Sequence, residues 1–177
     1  MSDNKILALV YEFAEVLMSA VLAVGVVFAF FAKTSVVNGE SMENSLYDGD
    51  TVIISAINRT VECGDVVVIS QPNFINKVLI KRVIAVGGQT ITFDRQNSKV
   101  LVDGEEITEP YIKEKMFFTT AMSSSVTVPE GKIFVMGDNR NNSTDSRDFR
   151  IGLIDERYVV GRVIYRLGDR NIFEKDK

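Results

Sequence analysis

A chain of 177 residues, 46% of them apolar and with a formal net charge of −4, is long enough for one compact domain with a real core and something extra. Its 20 basic and 24 acidic residues are interspersed, which argues against nucleic acid as a partner. The single cysteine, Cys63, excludes an intrachain disulfide; with no histidine beside it a zinc site is not expected, and only an all-oxygen calcium or magnesium site stays open in principle.

The first element along the chain is apolar. Val16–Ala32 (VLMSAVLAVGVVFAFFA) carries no charge. As a helix it spans roughly 25 Å at about 1.5 Å per residue, against a bilayer core of about 30 Å. Part of Ile6–Glu15 closes the gap, with Glu12 and Glu15 at headgroup level. Three readings compete. The start MSDNK lacks the strong positive charge of a cleaved signal peptide, and cleavage after Ala32 places bulky Phe30 where a small residue is wanted. All-round hydrophobicity opposes a buried helix of a small globular core. An uncleaved transmembrane anchor is favoured, giving an anchor over 1–33 and a second domain over 34–177. Lys5 and Lys33 flank the span about equally, so the positive-inside rule does not orient it.

After Lys33 the hydrophobic period becomes strand-like. Thr51–Ile57, Asp65–Ser70, Val78–Val86, Thr90–Phe93, Lys99–Val102, Lys132–Met136 and Tyr158–Arg166 are rich in valine and isoleucine and are separated by glycine turns. Asp103-Gly104 has the chemistry of a two-residue hairpin turn between KVLV and EEIT. No long amphipathic helix follows the anchor. The expected fold is all-β, a β-sandwich or partly open barrel. Met116–Val126 (MFFTTAMSSSV) fits this pattern worst and reads as a flap or surface excursion.

Three stretches carry chemistry. In NGESMENSL, Ser41 follows closely on Gly39, where the backbone can be held open to a substrate. A serine hydroxyl needs a base to become a nucleophile, and the usual histidine is absent. In Val78–Val86, Lys81 shares its face with apolar Leu79 and Val83 by strand alternation. One reading is an edge strand with a snorkelling lysine. The other is a lysine kept neutral by burial, able to take a proton from serine. In GDNRNNSTDSR (Gly137–Arg147), the composition is that of a well-capped surface turn, and nothing in this loop alone demands more.

Taken together, in this order and behind an N-terminal anchor, Ser41-Met42 with Leu46 and Asp48-Gly49-Asp50, Gly64-Asp65-Val66-Val67, Lys81-Arg82-Val83-Ile84 and GDNRNNSTDSR resemble the bacterial type I signal peptidases. The lack of histidine and the short chain with one anchor are similar to the lysine-type, Gram-positive-like members. The resemblance covers about residues 38–165. It implies a membrane-bound serine endopeptidase in the cytoplasmic membrane. The N-terminus is then cytoplasmic and the catalytic domain extracytoplasmic. Its partners are signal-peptide-bearing preproteins and the lipid bilayer, and no cofactor or metal is involved. By carry-over Ser41 is the nucleophile and Lys81 the general base. Ser143 orients Lys81, and Asp145 holds the loop with Arg82 or Arg147 as ion-pair partner. The Ser41 backbone N–H is an oxyanion donor. The position of a second, hydroxyl donor is occupied by Gly39, so that donor is absent or lies elsewhere. Asn44 and Gly87-Gly88 stand where the family often has proline and Pro-Gly. Val37, Met42 and Ile80 match positions lining shallow pockets for small side chains at the first and third positions before the scissile bond. Met116, Phe117 and Phe118 are candidates for an apolar patch beside the site, or for core. The link from Ala32 to Ser41 reaches at most about 30 Å. Two alternatives stand beside this reading: a self-cleaving repressor-type Ser-Lys peptidase, which the anchor opposes, and a non-catalytic assembly factor, which the presence of both Ser41 and Lys81 opposes.

Overall fold

The computed structural model describes residues 3–56, 60–71, 78–118 and 124–167. Ile57, at the end of one expected strand, and residues 119–123 of the expected flap lie outside them. By its internal packing the chain divides into two units, Met1–Lys33 and Thr34–Lys177.

The first unit is helix α1, Asp3–Phe31. It begins well ahead of the uncharged run, because straight-chain and small residues continue the helix through Glu12 and Glu15. Lys5–Val26 is long and apolar enough to cross a membrane, with mean hydropathy 2.0 and no part buried within the protein. That combination suits a lipid environment, since unpaired backbone groups are absent from a helix interior and the run from Val16 to Val26 carries no charge.

The second unit is mostly β. Its strands are β1 (Ala32–Val36), β2 (Thr51–Ser55), β3 (Val66–Ile69), β4 (Leu79–Val86), β5 (Thr90–Asp94), β6 (Lys99–Val102), β7 (Glu105–Glu106), β8 (Ser125–Thr127), β9 (Lys132–Met136), β10 (Ile154–Asp155) and β11 (Val159–Leu167). One sheet runs β1-β2-β11-β3-β4-β9-β10 and curls into a half-barrel; the other runs β7-β6-β5-β8. The partly open barrel is therefore the form the fold takes.

Burial explains the curl. β3 reads VVVI without alternation because both of its faces are covered. Val66 and Val68 pack with Val37, Met42, Leu46, Val52 and Ile54. Val67 and Ile69 pack with Val83, Ile133, Val135 and Ile154. A third cluster joins the small sheet to the large one: Ile91, Phe93, Val100 and Val102 meet Ile84, Ala85, Phe134 and Met136. The Asp103-Gly104 turn places both residues at positive φ, 53° and 85°, as a two-residue hairpin between β6 and β7 requires. The short strands β1, β8 and β10 are additional to those expected from sequence.

The three residues at the start of the expected flap separate. Met116 is buried in the third cluster, and Phe118 packs against it with its ring edge-on to Phe93 at a centroid distance of 6.0 Å. Phe117 is 74% exposed. The apolar patch of three residues is thus corrected to one exposed ring, because the chain here alternates and only Phe117 points outward. Phe118→Ala is expected to lower the unfolding free energy by roughly 2 kcal/mol, less than a fully buried phenylalanine costs. Phe117→Ala is expected to change it by less than about 0.5 kcal/mol. Denaturant unfolding of the detergent-solubilised chain measures both; equal losses would place Phe117 in the core.

Candidate active site

Ser41 opens a single turn whose shape is fixed from below. Met42 and Leu46 are buried, with Val37 beside them. Ser45 N–H and Leu46 N–H both donate to the Met42 carbonyl, at 3.0 and 2.8 Å. Gly39, at φ 88°, lets the chain reverse before the turn, and its N–H donates to Asp48 Oδ1 at 2.7 Å. The Gly39 amide is therefore occupied.

Lys81 comes from β4, opposite Val67 of β3. Cross-strand partners share a face, so its stem stands in the cluster containing Val67, Leu79 and Val83. Lys81 is 3% exposed. Its Nζ donates to Ser41 Oγ at 2.6 Å and to the Ile80 carbonyl at 2.9 Å. Burial pushes its pKa from the ordinary 10.5 down to about 8, against opposing fields from Asp145 and Asp138, while Arg147 adds a little in the same direction as burial.

The loop Gly137–Arg147 leaves β9 and grips both. Asn139 N–H donates to the Ser41 carbonyl at 3.1 Å, and Asn139 Nδ2 to the Glu40 carbonyl at 3.1 Å. A side chain at Gly137 has no room: a Cβ there would lie 2.4 Å from the Ser41 carbonyl oxygen and 2.3 Å from Ser143 Oγ. Asp145 is fully buried and accepts from Gly137 N–H at 2.9 Å and from Ser143 Oγ at 2.6 Å. Arg147 Nε and Nη2 each donate to the same carboxylate at 2.7 Å. Asp138, also fully buried, takes Arg82 Nε and Nη2 at 2.9 and 2.7 Å and Ser45 Oγ at 2.5 Å.

The geometry departs from one sequence-based expectation and decides between the two alternatives of another. Ser143 bonds Asp145, not Lys81; its short side chain is turned toward the carboxylate two residues on, where a charge-assisted hydrogen bond is available. Of the two arginines considered for Asp145, Arg147 takes it and Arg82 takes Asp138. Val37, Met42 and Ile80 line a groove of about 890 Å³ that also holds Ser41 and Lys81. Sequence reasoning missed Asp138, whose signal is its place in the same loop, and Glu109 and Tyr111, for which no local signal exists. Arg140 is buried and paired with Glu109. The Tyr111 ring lies 3.9 Å from Arg82 Cζ, a cation–π contact.

A serine hydroxyl in hydrogen-bond contact with a buried amine, at the floor of an open groove, is the equipment of a serine-type hydrolase. The comparisons specify which. The family described as "Signal peptidase, peptidase S26" matches residues 10–167. Signal peptidase I of Bacillus licheniformis is 34% identical over 161 residues, covering 85% of this chain and 84% of that protein. Signal peptidase IB of Staphylococcus aureus strain Mu50 is 34% identical over 176 residues, covering 88% and 89%. A crystal structure of a signal peptidase I from Enterococcus faecalis V583 is 28% identical, with a TM-score of 0.49 over 59% of this chain and 97% of that one. The chain belongs to the signal peptidase family, peptidase S26, and is a hydrolase. Its N-terminal apolar helix is consistent with a membrane-anchored enzyme.

The depressed pKa of Lys81 links the site to stability. Its folded value, about 8, lies below its unfolded value, so between pH 8 and 10.5 the unfolded chain holds the extra proton. The cost of burying the cation is fully present below pH 8. Stability from this group therefore rises with pH through that window, by on the order of 3 kcal/mol. Lys81→Met removes the effect. Its stability relative to the parent is expected to be highest below pH 8 and to fall as pH rises to 10.5, by chemical denaturation at matched pH. A difference that stays constant with pH would mean a solvated lysine.

Proposed function

We propose that this peptidase cleaves signal peptides from preproteins with Ser41 as nucleophile and Lys81 as general base. The carrying observation is the 2.6 Å contact between Lys81 Nζ and Ser41 Oγ at a lysine that is 3% exposed. In the neutral form the amine lone pair accepts the Ser41 hydroxyl proton. The freed Oγ attacks the scissile carbonyl, and the Lys81 ammonium then protonates the leaving amine. An acyl group remains on Ser41. A water, deprotonated by the same amine, releases it as a carboxylate. Negative charge on the tetrahedral carbonyl oxygen is stabilised by the Ser41 backbone N–H; one such donor is worth on the order of 3 kcal/mol. The Gly39 N–H, engaged by Asp48, is not available as a second.

Ser143 and Asp145 act through position in this reading. They hold Gly137 against the Ser41 carbonyl and keep a charge-satisfied loop under the serine. The groove passes between β1, at the edge of its sheet, and the start of β4, so an extended substrate fits between Val36 and Ile80. Val37, Met42 and Ile80 offer shallow apolar walls, which suit small side chains before the scissile bond and reject bulk by clash. We assign residues 1–33 to a cytoplasmic N-terminus and single span, and 34–177 to the extracytoplasmic side of the cytoplasmic membrane, where exported preproteins emerge.

Ser41→Ala and Lys81→Ala are each expected to abolish cleavage of a membrane-bound preprotein while leaving the fold intact. The double variant is expected to be no worse than either single one, because the pair acts as a unit. Lys81→Arg is expected to fail as well, since a guanidinium stays protonated. kcat/KM is expected to rise with pH with an acid-limb midpoint near 8. Substantial turnover by Lys81→Ala, or a midpoint near pH 10, would overturn the assignment.

A further inference from the structure

We propose that residues 107–118, the connection from β7 toward β8, form a clamp on the catalytic loop, with Tyr111 and Glu109 as positioning residues for the Ser41–Lys81 pair. The inference rests on the reading of that pair given above.

A surface connection ordinarily bonds to water and to its own turns. This one spends its polar groups on the three pieces that build the site. Toward the strand of the base, the Tyr111 ring covers Arg82, the neighbour of Lys81, at 3.9 Å. Toward the nucleophile turn, Lys113 Nζ donates to Glu43 Oε2 at 2.6 Å. Toward the catalytic loop, Lys113 N–H donates to the Asp138 carbonyl at 3.1 Å, and the Glu109 carboxylate takes both terminal nitrogens of Arg140. Asn141 Nδ2 donates to Glu114 Oε1 and the Lys115 carbonyl, and Phe117 N–H donates to Asn141 Oδ1. Met116 Sδ accepts from Arg147 Nη1 at 3.1 Å and anchors the far end in the core.

Tyr111 and Glu109 are the members whose loss reaches the reacting atoms. Arg82 joins β4 to the catalytic loop through Asp138, and Asp138 also holds Ser45 of the nucleophile turn. The Tyr111 ring is the lid over that junction. Without it, water reaches Arg82 and Asp138, and the spacing between strand, loop and turn loosens. Arg140, fixed by Glu109, donates through Nε to the Gly137 carbonyl, one residue from Asp138. Neither Tyr111 nor Glu109 lines the substrate groove, so substrate binding is left largely alone.

The two effects are separable from simple stabilisation. The charged groups acting on Lys81 are Asp145, Asp138 and Arg147; those acting on Arg82 are Asp138, Tyr111 and Glu109. The loop that carries Asp138 also holds Gly137 and Asn139 against the Ser41 carbonyl, so loosening it at the Arg82–Asp138 junction frees the serine turn beside Lys81; desolvation is the largest influence on that amine, and water admitted past the turn returns it toward its ordinary value. The acid limb of kcat/KM then moves to higher pH. A purely structural role reduces the amount of folded enzyme and leaves the midpoint where it was.

The test compares Tyr111→Leu, Tyr111→Phe and Glu109→Asp in the full-length enzyme, on one membrane-bound preprotein, with folded fraction measured by unfolding. Tyr111→Leu is expected to lower kcat by about 10- to 100-fold with KM within about twofold, as expected of a displaced reacting pair, and to raise the acid-limb midpoint. Tyr111→Phe keeps the ring over Arg82 and is expected to restore both rate and midpoint. Glu109→Asp, which withdraws the carboxylate from Arg140, is expected to lower kcat with KM unchanged; it decides the question if Tyr111→Leu does not fold. The clamp is refuted if folded Tyr111→Leu shows the parental midpoint, if Tyr111→Phe is as impaired as Tyr111→Leu, or if folded Glu109→Asp turns over at the parental rate. Lys81→Ala, assayed alongside, keeps the two claims apart: its activity would sink the catalytic pair, whatever the Tyr111 variants do.

Discussion

The site depends on one amine being kept dry. Lys81 projects from β4 on the face of a cluster of valine and isoleucine side chains, and its only hydrogen-bond acceptors among the described residues are a hydroxyl and a main-chain carbonyl. A carboxylate in either place would favour the ammonium and oppose the base role proposed for it. Two carboxylates nevertheless lie close enough to raise its pKa, and burial still wins. What allows this is the placement of arginine. Arg82 neutralises Asp138, Arg147 neutralises Asp145, and Arg140 is neutralised by Glu109. Each buried acid near the serine has a permanently charged partner in ion-pair contact, and Lys81 itself makes no ion pair among the described residues.

The arginines could not be lysines. Each pairs through two nitrogens of one planar group, and that fork fixes the carboxylate's orientation as well as its charge. Orientation matters because both carboxylates have further duties: Asp145 receives the Gly137 amide and the Ser143 hydroxyl, and Asp138 receives the Ser45 hydroxyl. Buried pairs of this kind add little net stability, since desolvation offsets most of the attraction. Their contribution is geometric. They set the loop where Gly137, lacking a side chain, presses against the serine's own carbonyl.

Much of this was legible in the sequence, for a physical reason. Strands buried on one or both faces carry runs of valine and isoleucine, so β2 through β6, β9 and β11 announced themselves, and Asp103-Gly104 could only be a turn with two positive φ values. Lys81 among apolar neighbours and Ser41 after a flexible glycine were readable because each conflicts with its surroundings. Ion-pair partners were not readable. Arg82 and Arg147 are equivalent in the sequence, and only strand register, which sets Val66 opposite Arg82 and Val67 opposite Lys81, determines which acid each meets. The roles of Glu109 and Tyr111 were hidden for the same reason: they are separated from their partners by more than twenty residues and sit in a segment with no periodicity. The two- and three-residue strands β8 and β10 were missed because so short a run has no pattern to show.

In the proposed mechanism, a lysine base would also tie catalysis to the fold more tightly than a histidine would. Imidazole titrates near neutrality when solvated, so a loosened histidine site still holds an unprotonated base. An amine does so only where water is excluded. On that reading, any motion that wets Lys81 returns its pKa toward the ordinary value and removes the proposed base. The structure meets that demand by surrounding the amine with strands rather than loops on one side and by fastening the loop on the other through several buried pairs. The groove itself stays open, which suits the extended substrate proposed for it. An exposed groove above a dry base is possible only if the serine turn acts as the partition between them. That is why the buried anchors of this turn, Met42 and Leu46, belong as much to the mechanism as to the core.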